Sequence, residues 1–266
     1  FVPRERYSTD IRVKMGDLFA RVYDGRVSAW YPAFLEGALT RVHFVIGRYS
    51  GATPNPSQEE LEAAVSALVR SFDDSLAEAL GQSLAADQVG LLVDRYREAF
   101  TAGFRERTPI ERVVADIRVM EGLSDARRVA IDFSQGNEAP PERITLRLYA
   151  RDASIPLSDR VPVIENLGLK VIEERTHVVA PRGAASVHIH DMTLEHAAGQ
   201  PIALKPSLDA LLEALFLAVW HDRAENDGFN KLGLLAGLGW REIAVIRALA
   251  RYLRQAGIPY SPDYMW

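Results

Sequence analysis

The sequence contains no cysteine, which excludes a disulfide framework, a thiolate-held zinc ion and thiol catalysis. Lysine is nearly as scarce, standing only at positions 14, 170, 205 and 231. Arginine supplies almost all the remaining positive charge, and it cannot release its proton in the amine chemistry for which lysine is used. A basic surplus is missing too: the formal charge is −5 and the pI about 5.8. That balance argues against a nucleic-acid or anionic-membrane partner, because nothing is left over to neutralise phosphates. Apolar runs are short. Residues 214–220, the most hydrophobic stretch, fall far below the roughly 20 residues needed to cross a bilayer, and the N-terminus has no signal-peptide pattern. A cytoplasmic location is expected.

Several functional motifs are absent as well. No Gly-x-Gly-x-x-Gly follows a strand, so the tight turn that lets backbone approach a dinucleotide pyrophosphate is missing. Neither a phosphate-cradling Gly-x-x-x-x-Gly-Lys-Ser/Thr nor a Gly-x-Ser-x-Gly elbow occurs. Gly233, Gly237 and Gly239 come nearest to a dinucleotide motif, but their spacing is wrong and no strand precedes them. They read instead as a helix end and a place of tight helix packing.

What is present is an ordinary globular composition: 266 residues, 48% apolar and 25% charged. This length suits one large domain or two to three small ones. A start at Phe1 and a finish at Trp266 suggest a piece of a longer protein.

Ser8-Thr9-Asp10 can cap a helix over about 10–23, with Ile11, Met15, Leu18, Phe19 and Val22 at helical spacing. Alternating Val27, Ala29 and Tyr31, a break at Glu36-Gly37 and the β-branched run 39–46 predict a hairpin. Ser57-Gln58-Glu59-Glu60 resembles a capping box before Leu61, Val65, Leu68, Val69 and Phe72. Helical periodicity then runs from Ala85 to Glu121, with Pro109 able to open a new helix. Residues 134–141 carry turn chemistry, and Ile144, Leu146 and Leu148 alternate as a half-buried strand. Ser158-Asp159 caps a short helix ended by Gly168. Residues 171–179 and 185–194 predict two strands, and Ser207 to Trp220 a helix.

The second half thus runs strand, helix, strand, strand, helix, and the first half helix, strand, strand, helix. Both are pieces of a β-α-β-β-α-β unit, an antiparallel sheet with helices on one face. A strand supplied from before the first helix would make the halves two copies of one module. Residues from about Asp227 to Gly257 read as a separate helical unit.

Few residues invite chemistry. His188 and His190 share one face of a strand and could hold a metal with Asp191 or His196, but no third ligand is convincing, and no metal is expected. His43 sits among apolar strand residues as a core or interface histidine; His177 and His221 have no partner visible in the sequence. Glu225 and Asp227 resemble a carboxylate pair, but Asp227 or Asn226 is better placed to cap the helix beginning near Gly228. Arg241, Arg247, Arg251 and Arg254 read as a solvated face with Glu242 pairing inside it, or as an interdomain contact.

Glu225-Asn226-Asp227-Gly228-Phe229-Asn230-Lys231-Leu232, Leu238-Gly239-Trp240-Arg241-Glu242-Ile243 and the run from Arg247 to Ser261 resemble the segment entering the catalytic part of the large bacterial NAD-specific glutamate dehydrogenases. Upstream, Val2 to Ser8, Ala38 to Phe44, Val114 to Arg118, Pro156 to Asp159, Glu165 to Val171 and Ile189 to Met192 are similar to the same family in the same order. This resemblance implies an α+β chain with two ACT-like (ferredoxin-like) sheet units. It divides the chain into an ACT-like module over 1–82, a helical spacer over 83–125, a second ACT-like module over 126–224 and a helical motif over 225–266 leading to a catalytic domain. It implies a parent oxidoreductase of amino-acid catabolism that converts L-glutamate and NAD to 2-oxoglutarate, ammonium and NADH. The catalytic lysines and NAD site would lie beyond this chain, which is expected to bind no cofactor and to be inactive alone.

Two roles follow from the resemblance. One is a regulatory and assembly segment whose partners are other domains and subunits of an oligomeric enzyme. The other is an amino-acid-sensing allosteric module. ACT-like domains bind amino acids at the loop after the first strand, here residues 153–159, with Ser154, Leu157, Ser158 and Asp159 as candidate contacts beside a helix N-terminus. Pro156-Leu157-Ser158 lacks the glycine of ligand-binding ACT loops, which tilts the balance toward assembly.

Overall fold

The computed structural model describes residues 1–34, 36–49, 51–136, 139–257 and 260–261. The chain divides into two compact units, residues 1–78 and 79–266.

In the first unit, a two-residue strand β1 (Val2–Pro3) is followed by α1 (Thr9–Val22), β2 (Gly25–Phe34), β3 (Leu39–Arg48) and α2 (Gln58–Val69). The sheet order is β1-β3-β2, and both outer strands run antiparallel to β3. Thus β1-α1-β2 is a crossover split by β3, which is the first half of a ferredoxin-like unit. The strand left to be supplied from before the first helix is within the chain, and two residues ending in proline are too few to show a period of two. Both helices start as the sequence predicts. Ser8 accepts from the Ile11 amide at 3.2 Å. Ser57 and Glu60 form a full capping box, each accepting from the other's backbone N–H at 3.1 and 2.9 Å. The core joins Val2, Met15 and Val69, with Phe19, Phe44 and Val65 packed around them. His43 is exposed beside Tyr31 rather than in this core, because the strand alternation turns Val42 and Phe44 inward.

Helix α3 (Phe72–Gly81) follows; the periodicity over 85–121 then resolves into α4 (Ala86–Tyr96), α5 (Ala102–Arg107) and α6 (Ile110–Glu121), the last opened by Pro109. Next come β4 (Val129–Ser134), β5 (Arg143–Arg151), α7 (Leu157–Asn166), β6 (Leu169–Val179), β7 (Val187–His196) and α8 (Pro206–Trp220). The fully antiparallel sheet has the order β4-β5-β7-β6. Here too a crossover, β5-α7-β6, is split by β7, so both units share one topology. The second carries an additional strand, β4, hairpinned onto the outside of β5.

Alternation assigns the two faces of this sheet. Ile144, Leu146 and Leu148 of β5 and Met192 and Leu194 of β7 point toward α7 and α8 and form the main core. The helices of the repeated unit therefore lie on one face, as predicted. Helices α5 and α6 reach the opposite face. Phe104 of α5 meets the His177 ring edge-on at 4.9 Å. Asp116 of α6, fully buried, accepts from the Tyr149 hydroxyl at 2.6 Å and from Arg147. Arg112 adds an ion pair to Asp132 at 2.6 Å, and Arg147 another to Asp191 at 2.8 Å. Burial pushes the Asp116 carboxyl above its ordinary range, against the pull of Arg147 and Arg112. So dense a network is stable only because nearly every charge has its opposite in contact.

The C-terminal elements are a 3-10 turn over Gly228–Lys231, α9 (Leu232–Ala236) and α10 (Trp240–Gln255). The sequence suggests a separate unit there. In the structure Phe229, Ile243 and Ala250 belong to the same core as the second sheet, joined through α8. Gly233 and Gly237 act as their spacing suggested. A Cβ on Gly233 would lie 2.6 Å from Leu215 Cδ2, and Gly237, at φ 66°, ends α9 in a left-handed conformation.

Candidate functional site

The predicted ligand contacts lie in the loop between β5 and α7, at Ser154, and on the first turn of α7, at Leu157, Ser158 and Asp159. The loop backbone reverses at Asp152, whose φ of 68° is left-handed and whose N–H donates to the Ser186 carbonyl at 2.8 Å. Ser154 and Asp159 line a cavity of about 420 Å³ together with Arg128, Arg151, Trp220 and His221. Leu157 and Ser158 do not line it; both are exposed on the first turn of α7. The N-cap position of α7 falls on Pro156, with no side-chain cap, whereas the sequence placed the cap at Ser158-Asp159. Those two side chains bond to each other instead, at 2.9 Å. The first turn of α7 therefore has no side-chain partner for its amides at the cavity's edge.

Beneath the loop lies a group of residues that sequence reasoning did not assemble. His190, fully buried on β7, accepts the Ile155 backbone N–H on Nε2 at 3.3 Å, with Ser154 Oγ at 3.4 Å. Accepting that N–H requires an unprotonated Nε2, so the ring proton sits on Nδ1, facing Thr176 Oγ1 at 3.1 Å and Glu174 Oε1 at 3.2 Å. Glu174 is ion-paired with Arg160, a buried residue of α7. Burial, and after it the Arg160 guanidinium, hold His190 below its ordinary pKa, while the bond to Glu174 works the other way. One histidine thus ties the loop, the helix after it and two strands together. The only signal in the sequence was a His two residues from another on a strand; the partner Thr176 is set by strand register.

The metal alternative finds no support in this geometry. Asp191 lies on the opposite face of β7 and pairs with Arg147, and His196 Nδ1 accepts from the Ala198 amide at 3.0 Å. Among the described residues no group of three or more His, Asp or Glu side chains is arranged to hold a metal.

The C-terminal stretch forms a second polar centre. Asp227 caps the 3-10 turn by accepting from the Phe229 amide at 3.1 Å. It also receives Arg247 through two bonds, Nε to Oδ2 at 2.7 Å and Nη2 to Oδ1 at 2.9 Å. Arg247 Nη2 further donates to Asn230 Oδ1 at 2.9 Å, and Asn230 Nδ2 to the Glu225 carbonyl at 2.9 Å. The expected solvated arginine face is therefore wrong at Arg247, which is 4% exposed. Arg251 pairs with Glu225, and Arg241 stacks over Trp240 at 4.4 Å. Glu242 contacts no arginine of the series; it accepts the Gly239 N–H at 2.7 Å and caps α10.

Three family models match the chain: glutamate dehydrogenase ACT2 domain over residues 1–73, ACT3 domain over 128–206 and helical motif 3 over 224–266. The chain carries the ACT2, ACT3 and helical-motif-3 segments of the glutamate dehydrogenase family. The ACT2 match covers the three-stranded sheet and its helices, and the ACT3 match the four-stranded sheet with α7. Helix α8, between the ACT3 and helical-motif matches, packs against both. Among curated relatives, the NAD-specific glutamate dehydrogenase of Halomonas elongata is 35% identical over 266 residues, all of this chain and 16% of that relative. The enzyme of the same name from Pseudomonas aeruginosa is 30% identical over all of the chain and 16% of its own length. That from Mycobacterium tuberculosis is 29% identical over all of the chain and 17% of its own. The chain therefore spans about one sixth of the length of the relatives it matches.

Proposed function

We propose that this chain is a non-catalytic regulatory and assembly segment of an NAD-dependent glutamate dehydrogenase. The parent enzyme takes L-glutamate, NAD and water to 2-oxoglutarate, ammonium and NADH. The observation that carries this reading is the match, in order, to two ACT segments and a helical motif of that family across the chain. The internal architecture supports it. The charge groups of this chain are engaged in holding elements together: Asp116 with Arg147 joins α6 to the ACT3 sheet, and Asp227 with Arg247 braces the helical motif. Its partners are other domains and subunits of the same cytoplasmic, oligomeric enzyme, and NAD binds elsewhere in the parent. Incubating the 266-residue chain with L-glutamate and NAD, and following NADH, tests this; no turnover is expected, and measurable turnover by the chain would overturn it.

A second reading rests on the cavity at residues 153–159. An uncapped helix start beside Arg128 suits the carboxylate of an amino-acid effector. Thermal-shift titration of the chain against the common amino acids checks it. A rise in melting temperature that Ser154→Trp abolishes supports sensing, and no shift at millimolar ligand sinks it.

A further inference from the structure

The three-stranded sheet of the first unit leaves one face open. Val42 and Phe44 of β3 pack with Met15 of α1 and Val69 of α2, so the alternate residues Leu39, Arg41, His43 and Val45 point the other way. On β2 the register sets Ala29 opposite Val45, Tyr31 opposite His43 and Ala33 opposite Arg41, all on that outer face. An antiparallel sheet with a solvated face ordinarily presents polar residues there. On this one Leu39, Val45 and Tyr31 are exposed, Tyr31 to 61%. The charge on the face has one sign. Arg41 and His43 are exposed on it, Arg26 lies over the Tyr49 ring at 5.9 Å near one end, and neither β2 nor β3 contains Asp or Glu.

The second unit, built on the same split crossover, shows what covers the corresponding face there. Arg147, Tyr149 and His177 stand on it beneath α5 and α6. Phe104 of α5 meets the His177 ring edge-on at 4.9 Å, and Asp116 of α6 accepts from the Tyr149 hydroxyl at 2.6 Å and from Arg147. An apolar helix face carrying one carboxylate thus satisfies an Arg, a Tyr and a His of the sheet. In the first unit side chains of the same three kinds, Arg41, Tyr31 and His43, are exposed.

We propose that the outer face of β2 and β3 docks an amphipathic helix from another part of the parent enzyme, with an apolar stripe over Leu39, Tyr31 and Val45 and a carboxylate paired with Arg41. This rests on the assembly reading of the chain. The relatives are about six times as long as the chain, which leaves ample sequence to supply the helix. A second copy of the same face fits poorly, because Arg26, Arg41 and His43 would meet like charge.

Hydroxyl-radical labelling of the full-length parent and of the isolated chain, read at Tyr31 by mass spectrometry, tests it. Tyr31 should label at least about fivefold more slowly in the parent, since the core of an interface excludes water. In the parent carrying Arg41→Lys, a water-soluble carbodiimide should join the introduced amine to the carboxylate it faces, forming an amide while the carbodiimide takes up the water as its urea. The cross-linked peptide then identifies the partner helix. Arg41→Glu with His43→Glu reverses the charge and should return Tyr31 labelling in the parent to the rate of the isolated chain. Both positions are exposed, so the isolated double variant should keep its unfolding midpoint. Equal labelling of Tyr31 in parent and chain, unaltered protection in the double variant, no cross-link, a cross-link to residues 25–48 of a second copy, or one to a segment without apolar residues at helical spacing would each overturn the docking. Those results leave the assembly reading standing, whereas NADH from the isolated chain removes that reading whatever Tyr31 shows.

Discussion

Arg247 and His190 are the residues on which local order depends. Arg247 makes a two-bond contact to Asp227 and completes the hydrogen bonding of Asn230, which is itself fully buried. Replacing it with Met leaves the Asp227 carboxylate and the Asn230 oxygen without their donor, and removing one partner of such a pair costs about 3 kcal/mol. Urea unfolding of Arg247→Met should show that loss, and Arg247→Lys should recover only part of it, since a point charge cannot reproduce the two parallel bonds. An unchanged midpoint would mean that the cluster is ornamental.

His190 gives a pH dependence of determined sign. Its folded pKa lies below the ordinary 6.5, so as the pH falls through about 6.5 the unfolded chain takes up a proton before the folded one does. The stability that the neutral ring confers is complete above that value and declines below it. Burial lowers His177 as well, so His190→Gln should flatten part of the acid slope and leave the remainder. Unfolding midpoints followed from about pH 7.5 to about pH 5 check this; an acid slope identical in variant and wild type contradicts it.

At the scale of elements, caps and close approaches decide where helices begin and how near they come. Ser57→Ala removes one half of the capping box on α2 and should cost about 1 kcal/mol. Gly233→Val forces a branched side chain into the Leu215 contact between α9 and α8, with an expected loss of about 1 to 3 kcal/mol. Thermal denaturation of each variant measures both, and a neutral Gly233→Val would mean that the two helices are free to separate. These features were legible in the sequence because each is local: an oxygen three residues ahead of an amide, or a glycine at a helix end. Strand β4 also carries a local pattern, with Val129, Ile131 and Phe133 alternating with Ala130, Asp132 and Ser134. By contrast β1 is too short to carry a pattern. The burial of Arg247 and the seat of His190 follow from contacts to Asp227 and Ile155, 20 and 35 positions away, and no spacing rule reports such pairs.

At the scale of the molecule, the same split crossover appears in both units, which explains why one chain matches two ACT segments in tandem. The second unit is the more elaborate. Its sheet gains β4, its opposite face meets α5 and α6, and its core continues into the helical motif through α8. That continuity seats the helical motif against the second unit through α8. No helix among the described residues is long and apolar enough to cross a membrane. At the candidate loop, Ser154 and Asp159 line a cavity, whereas Leu157 and Ser158 are exposed on the first turn of α7, which begins one residue after Pro156.

In the proposed reading this chain shapes and assembles a dehydrogenase without contributing to its chemistry. NADH formation from L-glutamate and NAD, measured in one initial-rate assay for the full-length parent enzyme, its Arg247→Met variant and the isolated chain, tests that claim most directly. Turnover by the parent, an altered glutamate saturation curve or subunit assembly in the variant, and no NADH from the isolated chain are expected. NADH produced by the isolated chain, or a variant identical to the parent in both saturation and assembly, would contradict that reading.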